Sequence, residues 1–154
     1  MTAAETPAGA IPDGFVPLDL PDDFLRMIGP LRVRLEEDGP RVGLLLEARH
    51  ANPLGIAHGG CLMTLADMVL GVGCTFAAKT ASIFPTITLN CDFVRGARVG
   101  HWIDGKAIIT RRTVNFVFAR CDLVSAGQVA LSASGVFKAP SSTAPAANEA
   151  TRRT

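Results

Sequence analysis

The sequence predicts an α+β fold in which an antiparallel β-sheet wraps one long central helix. Three observations carry this. Residues 61–73 form an apolar run with only Thr64 and Asp67 as strongly polar side chains, and a helix apolar all round is a buried one. Before and after that run, apolar and polar residues alternate with a period of two, the pattern of half-buried strands. The order is two strands, the helix, then four strands, which places a single helix against one face of an antiparallel sheet.

Taken in order, residues 1–13 and 139–154 are rich in Ala, Pro, Ser, Thr and Glu without periodicity, and read as disordered tails on one domain over 14–138. Pro21-Asp22-Asp23 opens a short helix, because early acidic residues suit a helix N-terminus, and Gly29-Pro30 closes it. Leu31–Glu36 alternates apolar with charged residues. Asp38-Gly39 signals a tight turn, and Val42, Leu44, Leu46 and Ala48 alternate on its far side, which predicts a β-hairpin. Asn52-Pro53 then opens a loop in which Gly55 permits an unusual backbone conformation. The helix is entered through His58-Gly59-Gly60 and fades near Lys79-Thr80. Ile83–Val94 reads as a strand with Ile87, Leu89, Cys91 and Phe93 on one face and Thr86, Thr88, Asn90 and Asp92 on the other. After the connection Arg95–Arg98, His101–Arg111 is a strand with Gly105 as a candidate bulge. Val114–Val124 is another, and Ser125–Gln128 turns the chain into Val129–Lys138.

Composition bounds the function. A chain of 154 residues, 48% hydrophobic with a net charge of +1, reads as one ordinary globular domain, without the basic excess that nucleic acid requires. Asp67 and several glycines interrupt the best candidate for a membrane span, so no membrane partner is expected. The first residues lack the basic and apolar regions of a signal peptide. Cys61, Cys74, Cys91 and Cys121 are widely spaced in apolar runs and read as reduced core thiols of a cytoplasmic protein. His50 and His101 lack metal-ligand spacing and read as surface residues. No zinc motif, P-loop, dinucleotide fingerprint or G-x-S-x-G elbow is present, so neither metal nor cofactor is expected.

Chemistry concentrates on the central element. Backbone N–H groups of a first helical turn lack partners and carry the positive end of the helix dipole. Glycine at 59 and 60 removes side chains that would keep a carbonyl oxygen or oxyanion away from them. Asn52 offers an amide just upstream, and Asp67 a base or nucleophile on an otherwise apolar helix. Asp67 follows Gly60 by seven residues, about 10 Å along the axis, too far to attack a carbonyl held at its own helix N-terminus. Two subunits paired with antiparallel helices bring each Asp67 toward the partner's glycines. Gly60, Thr64, Asp67, Gly71 and Cys74 form a small or polar stripe along which a partner could approach. Each residue also has a plainer reading: Asp67 as a loop cap, Gly59-Gly60 as a tight turn, Asn52 as a turn residue, Thr86 as an ordinary strand residue.

Asn52-Pro53-Leu54-Gly55, then His58-Gly59-Gly60, then Leu65-Ala66-Asp67 resembles the active-site signature of the PaaI-type acyl-CoA thioesterases, over a body of roughly residues 20–138. The resemblance implies a hotdog fold, a dimer or dimer of dimers, and an acyl-CoA substrate. It implies Asp67 as general base or nucleophile, Gly59 N–H as the donor to the thioester oxygen, and Asn52 as the group that orients thioester or water. By the same resemblance His58 shapes the loop beside Gly60, and Thr86 is the hydroxyl that positions water. Arg95, Arg98, Arg111, Arg112 and Arg120, read as lying on strand ends or connections, are candidates for the phosphates of coenzyme A. The apolar helix with Phe84, Phe93, Phe116 and Phe118 suits an aryl or medium-chain acyl group. The alternatives are a binding protein of the same fold that holds acyl-CoA without hydrolysing it, a hydratase, and a structural subunit.

Overall fold

Around one 20-residue helix the chain lays a single antiparallel sheet, in a computed structural model that describes residues 8–140. The first elements are strand β1 (Val16–Pro17), helix α1 (Asp23–Ile28) and the hairpin strands β2 (Arg32–Glu36) and β3 (Gly39–Leu45). A 3-10 turn over Ala48–His50 leads to the long helix α2 (Gly59–Ala78). The strands β4 (Thr86–Phe93), β5 (Trp102–Lys106), β6 (Ile108–Arg112), β7 (Phe116–Ser125) and β8 (Gln128–Lys138) complete the sheet. The strand order is β1-β2-β3-β5-β7-β8-β4, with β6 also on β7. Residues 8–13 belong to the expected N-terminal tail, and within them Gly9 N–H donates to Gly100 O. The rest of both expected tails lies outside the described residues.

Local chemistry sets most boundaries. Asp22 caps α1 by accepting from Leu25 N–H. The β7–β8 hairpin turns on Ala126 and Gly127, both with positive φ (49° and 70°), the two-residue loop that matches strand twist. Lys79 stops α2 in the left-handed conformation. Cys61, Leu62, Leu65, Ala66, Val69, Leu70, Gly73 and Cys74 recur at helical spacing and bury one side of α2. They meet Leu44, Ile103, Leu123, Leu131 and Phe137 on the concave face of the sheet. Each such large side chain contributes roughly 1.5–3 kcal/mol on leaving water.

The helix is not covered all round. Met63 and Phe76 are exposed, while Thr64, Asp67, Met68, Gly71 and Val72 are half-buried, because the curved sheet reaches only one side of the cylinder. By length and mean hydropathy (1.7) α2 is apolar enough to cross a membrane, yet its inner face is packed in the sheet. Cys74 turns into the core, so the small and polar stripe ends at Gly71 and does not reach it.

Two strands depart from the sequence reading. The expected strand 101–111 is broken at Ala107, where the chain presses onto α2: a Cβ on Gly73 would lie 2.2 Å from that of Ala107. Gly105 is no bulge. It pairs in register with Val42 and Leu123, and is glycine because a Cβ would meet Asp122 O at 2.7 Å; the register shift falls between Ile109 and Arg111. Strand β4 starts only at Thr86, after Pro85, which has no N–H to give to a ladder.

Candidate active site

The loop before α2 is tied down at both ends. His50 is buried, not a surface residue: its Nδ1 accepts Glu47 N–H (2.9 Å), so Nε2–H donates to Ile28 O (2.7 Å). His50 O in turn accepts His58 N–H (2.7 Å), and Ala57 N–H donates to Ala97 O (2.8 Å). Arg49 reaches back to Met27 O and Gly29 O, clamping the end of α1 to the same turn. Within the loop, Asn52 Oδ1 accepts from Leu54 N–H (2.9 Å) and Ile56 N–H (3.4 Å), while Gly55 takes φ 75°. Asn52 is thus an Asx-turn residue whose oxygen is used locally. Among the described residues its Nδ2 has no acceptor.

His58 caps α2. Its Nδ1 accepts Gly60 N–H (2.9 Å), and its carbonyl accepts from Cys61 and Leu62. Gly59 N–H is then the first-turn donor with no acceptor among the described residues, at the positive end of a 20-residue helix. A Cβ at Gly59 would stand 3.2 Å from the Phe93 ring, so the glycine gives that N–H an open approach beside an exposed aromatic side chain. Gly60 N–H is therefore spent on the cap, whereas Gly59 N–H is left without a partner among the described residues.

Asp67 accepts a 2.7 Å hydrogen bond from Thr86 Oγ1. The sequence pattern puts Thr86 on the face of Thr88, Asn90 and Asp92, and the structure corrects this. Thr86 pairs with the core residue Phe137, whereas Thr88 pairs with its neighbour Val136, so Ile87 is an extra, bulged residue. One extra residue reverses the alternation and turns Thr86 onto the helix side. Asp67 itself is half-buried, not enclosed. Cys91 sits nearby: burial first, then the carboxylates of Asp92 and Asp67, push its thiol upward and keep it protonated. Thr64 Oγ1 is occupied by Gly60 O at 2.9 Å.

One chain therefore brings Asn52, His58, Gly59 and Gly60 together at one end of α2 and Asp67 with Thr86 halfway along it. Eight residues of helix separate Gly59 from Asp67, about 12 Å. Of the arginines, Arg95 and Arg98 lie on the connection after β4. Arg111 and Arg112 close β6 at its C-terminal end, whereas Arg120 lies inside β7 and not on a strand end or connection. Arg49 and His50 escape the sequence reading as parts of this site. Only His50 leaves a signal there, in the three-residue spacing from Glu47.

Comparison with known proteins agrees with this architecture. The family model described as Thioesterase superfamily matches residues 54–131. A Pseudomonas aeruginosa protein named "Putative esterase PA0474" is 36% identical over 133 residues, which cover 84% of this chain and 98% of that protein. The structure of the E. coli PaaI protein from the phenylacetic acid degradation operon has a TM-score of 0.69 at 17% identity, covering 79% of this chain and 86% of its own. A mutant of the phenylacetic acid degradation protein PaaI from Thermus thermophilus has a TM-score of 0.65 at 24% identity, covering 77% and 100%. At these identities the two structures speak for the shared hotdog fold alone.

Proposed function

Since the chain belongs to the thioesterase superfamily and is a thioester hydrolase, we propose that it cleaves an acyl-CoA to a free acid and coenzyme A in sites shared across a homodimer. The observation that carries this is the division of chemistry along α2: an unengaged Gly59 N–H at its start, and a hydroxyl-held Asp67 about 12 Å further on. Two antiparallel copies of α2 offset that separation, bringing Asp67 of one copy to Gly59 of the other.

The surface supports such a pairing. Among the described residues, strand β4 ends the sheet with an unpaired edge, and Ile83, Ile87, Phe93 and Val94 on or beside it are exposed, as are Met63 and Phe76 on the uncovered side of α2. An unpaired apolar edge beside an unpaired apolar helix face is a template for a second copy. The buried free thiols of Cys61, Cys74 and Cys121 support a reducing compartment, the cytoplasm.

In the proposed reaction Gly59 N–H and the helix dipole receive the thioester oxygen as it gains charge. Asn52 Nδ2 donates to the carbonyl or to the attacking water. Asp67 either takes a proton from that water or attacks the carbonyl carbon to form an anhydride that water opens. In both routes a C–O bond forms and the C–S bond breaks. In the first, the proton that Asp67 took from water goes to the departing sulfur. In the second, the sulfur leaves as a thiolate and is protonated from the water that opens the anhydride. Thr86 holds the Asp67 carboxylate in position, and His58 holds the helix entry. Phe93 beside Gly59 supports an aryl or medium-chain acyl group.

The test is thiol release from short, medium, long and aryl acyl-CoAs. Asp67→Asn keeps the shape, removes the base and is expected to lower kcat at least ~100-fold. Near-normal turnover by that variant would end the mechanism. Binding of acyl-CoA with no hydrolysis by the wild type would select the non-catalytic acyl-CoA-binding protein instead.

A further inference from the structure

The reaction above places a thioester but leaves the far end of the substrate without a seat. Beyond Phe93 the connection Arg95–Arg98 borders an open pocket of about 510 Å³, lined also by His101, Ser125, Gln128 and Ala130. The lining contains two guanidinium groups and an imidazole, and no carboxylate. Among the described residues, no acid lies within ion-pair distance of Arg95 or Arg98; Arg32, Arg111, Arg112 and Arg120 are likewise without an ion pair, but none of them lines this pocket. Two unpaired guanidinium groups on one concave wall attract an anion with several oxygens, because each offers a planar fork of donors.

The pocket is built onto the active-site loop. Val94 and Arg95 N–H both donate to Ala130 O (2.9 and 3.1 Å), which pins the connection to β8. Ile56 bridges Arg98, and a Cβ on Gly96 would meet Ile56 at 2.9 Å, so the wall of the pocket and the loop of Asn52 are one packed unit. Ala57, hydrogen-bonded to Ala97 O, precedes Gly59 by two residues, a reach of about 7 Å. A pantetheine arm leaving Gly59 spans that interval.

We infer that the Arg95–Arg98–His101 pocket is the subsite for the phosphates of the adenosine 3′,5′-bisphosphate end of coenzyme A. This rests on the acyl-CoA reading and adds what would make the enzyme prefer coenzyme A to a shorter thioester. The arginines act on binding in ground and transition states alike, so they set KM more than kcat. Their pull on phosphate weakens as salt rises.

Two measurements test it. Adenosine 3′,5′-bisphosphate is titrated calorimetrically into the wild type and the double variant Arg95→Gln/Arg98→Gln. In parallel, kcat/KM is compared for one acyl group carried on coenzyme A and on N-acetylcysteamine. Expected are bisphosphate binding by the wild type, at least ~10-fold weaker binding by the double variant, and a CoA-to-N-acetylcysteamine preference at least ~10-fold lower. Arg26→Gln, on the exposed surface of α1 where it pairs with Asp23, serves as the control that keeps the wild-type preference. Equal bisphosphate binding by wild type and double variant, or none by either, overturns the subsite. So does a loss equal for both thioesters, which would mark the arginines as structural. Arginine-dependent hydrolysis of an acyl carrier protein without bisphosphate binding also overturns it, in favour of an acidic protein surface. If no thioester is hydrolysed but bisphosphate binding still depends on the arginines, the subsite stands and the proposed reaction falls.

Discussion

Replacing Thr86 by Val tests the contact on which the candidate base depends. The two side chains have nearly the same shape, so the change removes one O–H and leaves the strand packing. What is lost is a 2.7 Å hydrogen bond to the Asp67 carboxylate. Bonds to charged groups contribute roughly 1.5–3 kcal/mol, and the exposure of Thr86 in a single chain argues for the lower end. About 1.4 kcal/mol corresponds to tenfold in rate, so Thr86→Val is expected to lower kcat about tenfold with KM little changed. Thr86→Ser, which restores the hydroxyl, should recover most of that loss. The assay is initial-rate thiol release from one acyl-CoA that the wild type accepts, with thermal melting to check that all three proteins are folded. A folded Thr86→Val enzyme with full kcat would refute the reasoning, as would a Ser variant no better than Val.

Other outcomes follow from the packing and the ionisable groups. Gly73→Ala should gain about 1 kcal/mol of helix propensity but lose more to overpacking, since its Cβ would stand 2.2 Å from that of Ala107; a Tm several degrees lower checks this, and an unchanged Tm refutes it. Glu36 is held at about 2, against an ordinary 4.5, mainly by the hydrogen bond from Arg34 and then by Lys106 and Arg41, with burial opposing. Because the folded value lies below the unfolded one, Glu36 contributes stability above about pH 4.5 that is lost as pH falls toward 2. Denaturant melts across that window should show Glu36→Gln with a shallower acid slope. Burial pushes Cys74 up to about 11 and Cys121 up to about 12, and raises Cys61 and Cys91 as well. An aromatic disulfide reagent at pH 8 should therefore label the native protein slowly, and four thiols only after unfolding.

The legible parts of this fold are those whose chemistry is local. His58-Gly59-Gly60 before an apolar run marks the start of α2, Ala126-Gly127 marks the last hairpin, and Asp22 marks α1, because caps and turns are made by neighbouring residues. The coverage of α2 is not legible. An apolar face reads the same whether the chain's own sheet or a second chain is to cover it, so Met63 and Phe76 resemble core. His50 reads as a polar surface residue until the partner carbonyl of Ile28, 22 positions earlier, is brought beside it. Thr86 stands out in the sequence, but on the wrong face, because an added residue in a strand leaves no mark in composition or alternation.

That added residue, Ile87, makes the site a matter of counting as well as of chemistry. Thr86 faces the helix because an odd number of positions has been slipped into the ladder between it and Thr88. A sequence lacking Ile87 would keep every side chain named here, Asp67 and Thr86 included, and would point the hydroxyl at solvent on the far side of the sheet. The stretch from Pro85 to Thr88 can therefore tolerate changes of residue identity far better than changes of length. In any gene that descends from this one, a one-codon deletion there erases more of the site than most substitutions within it.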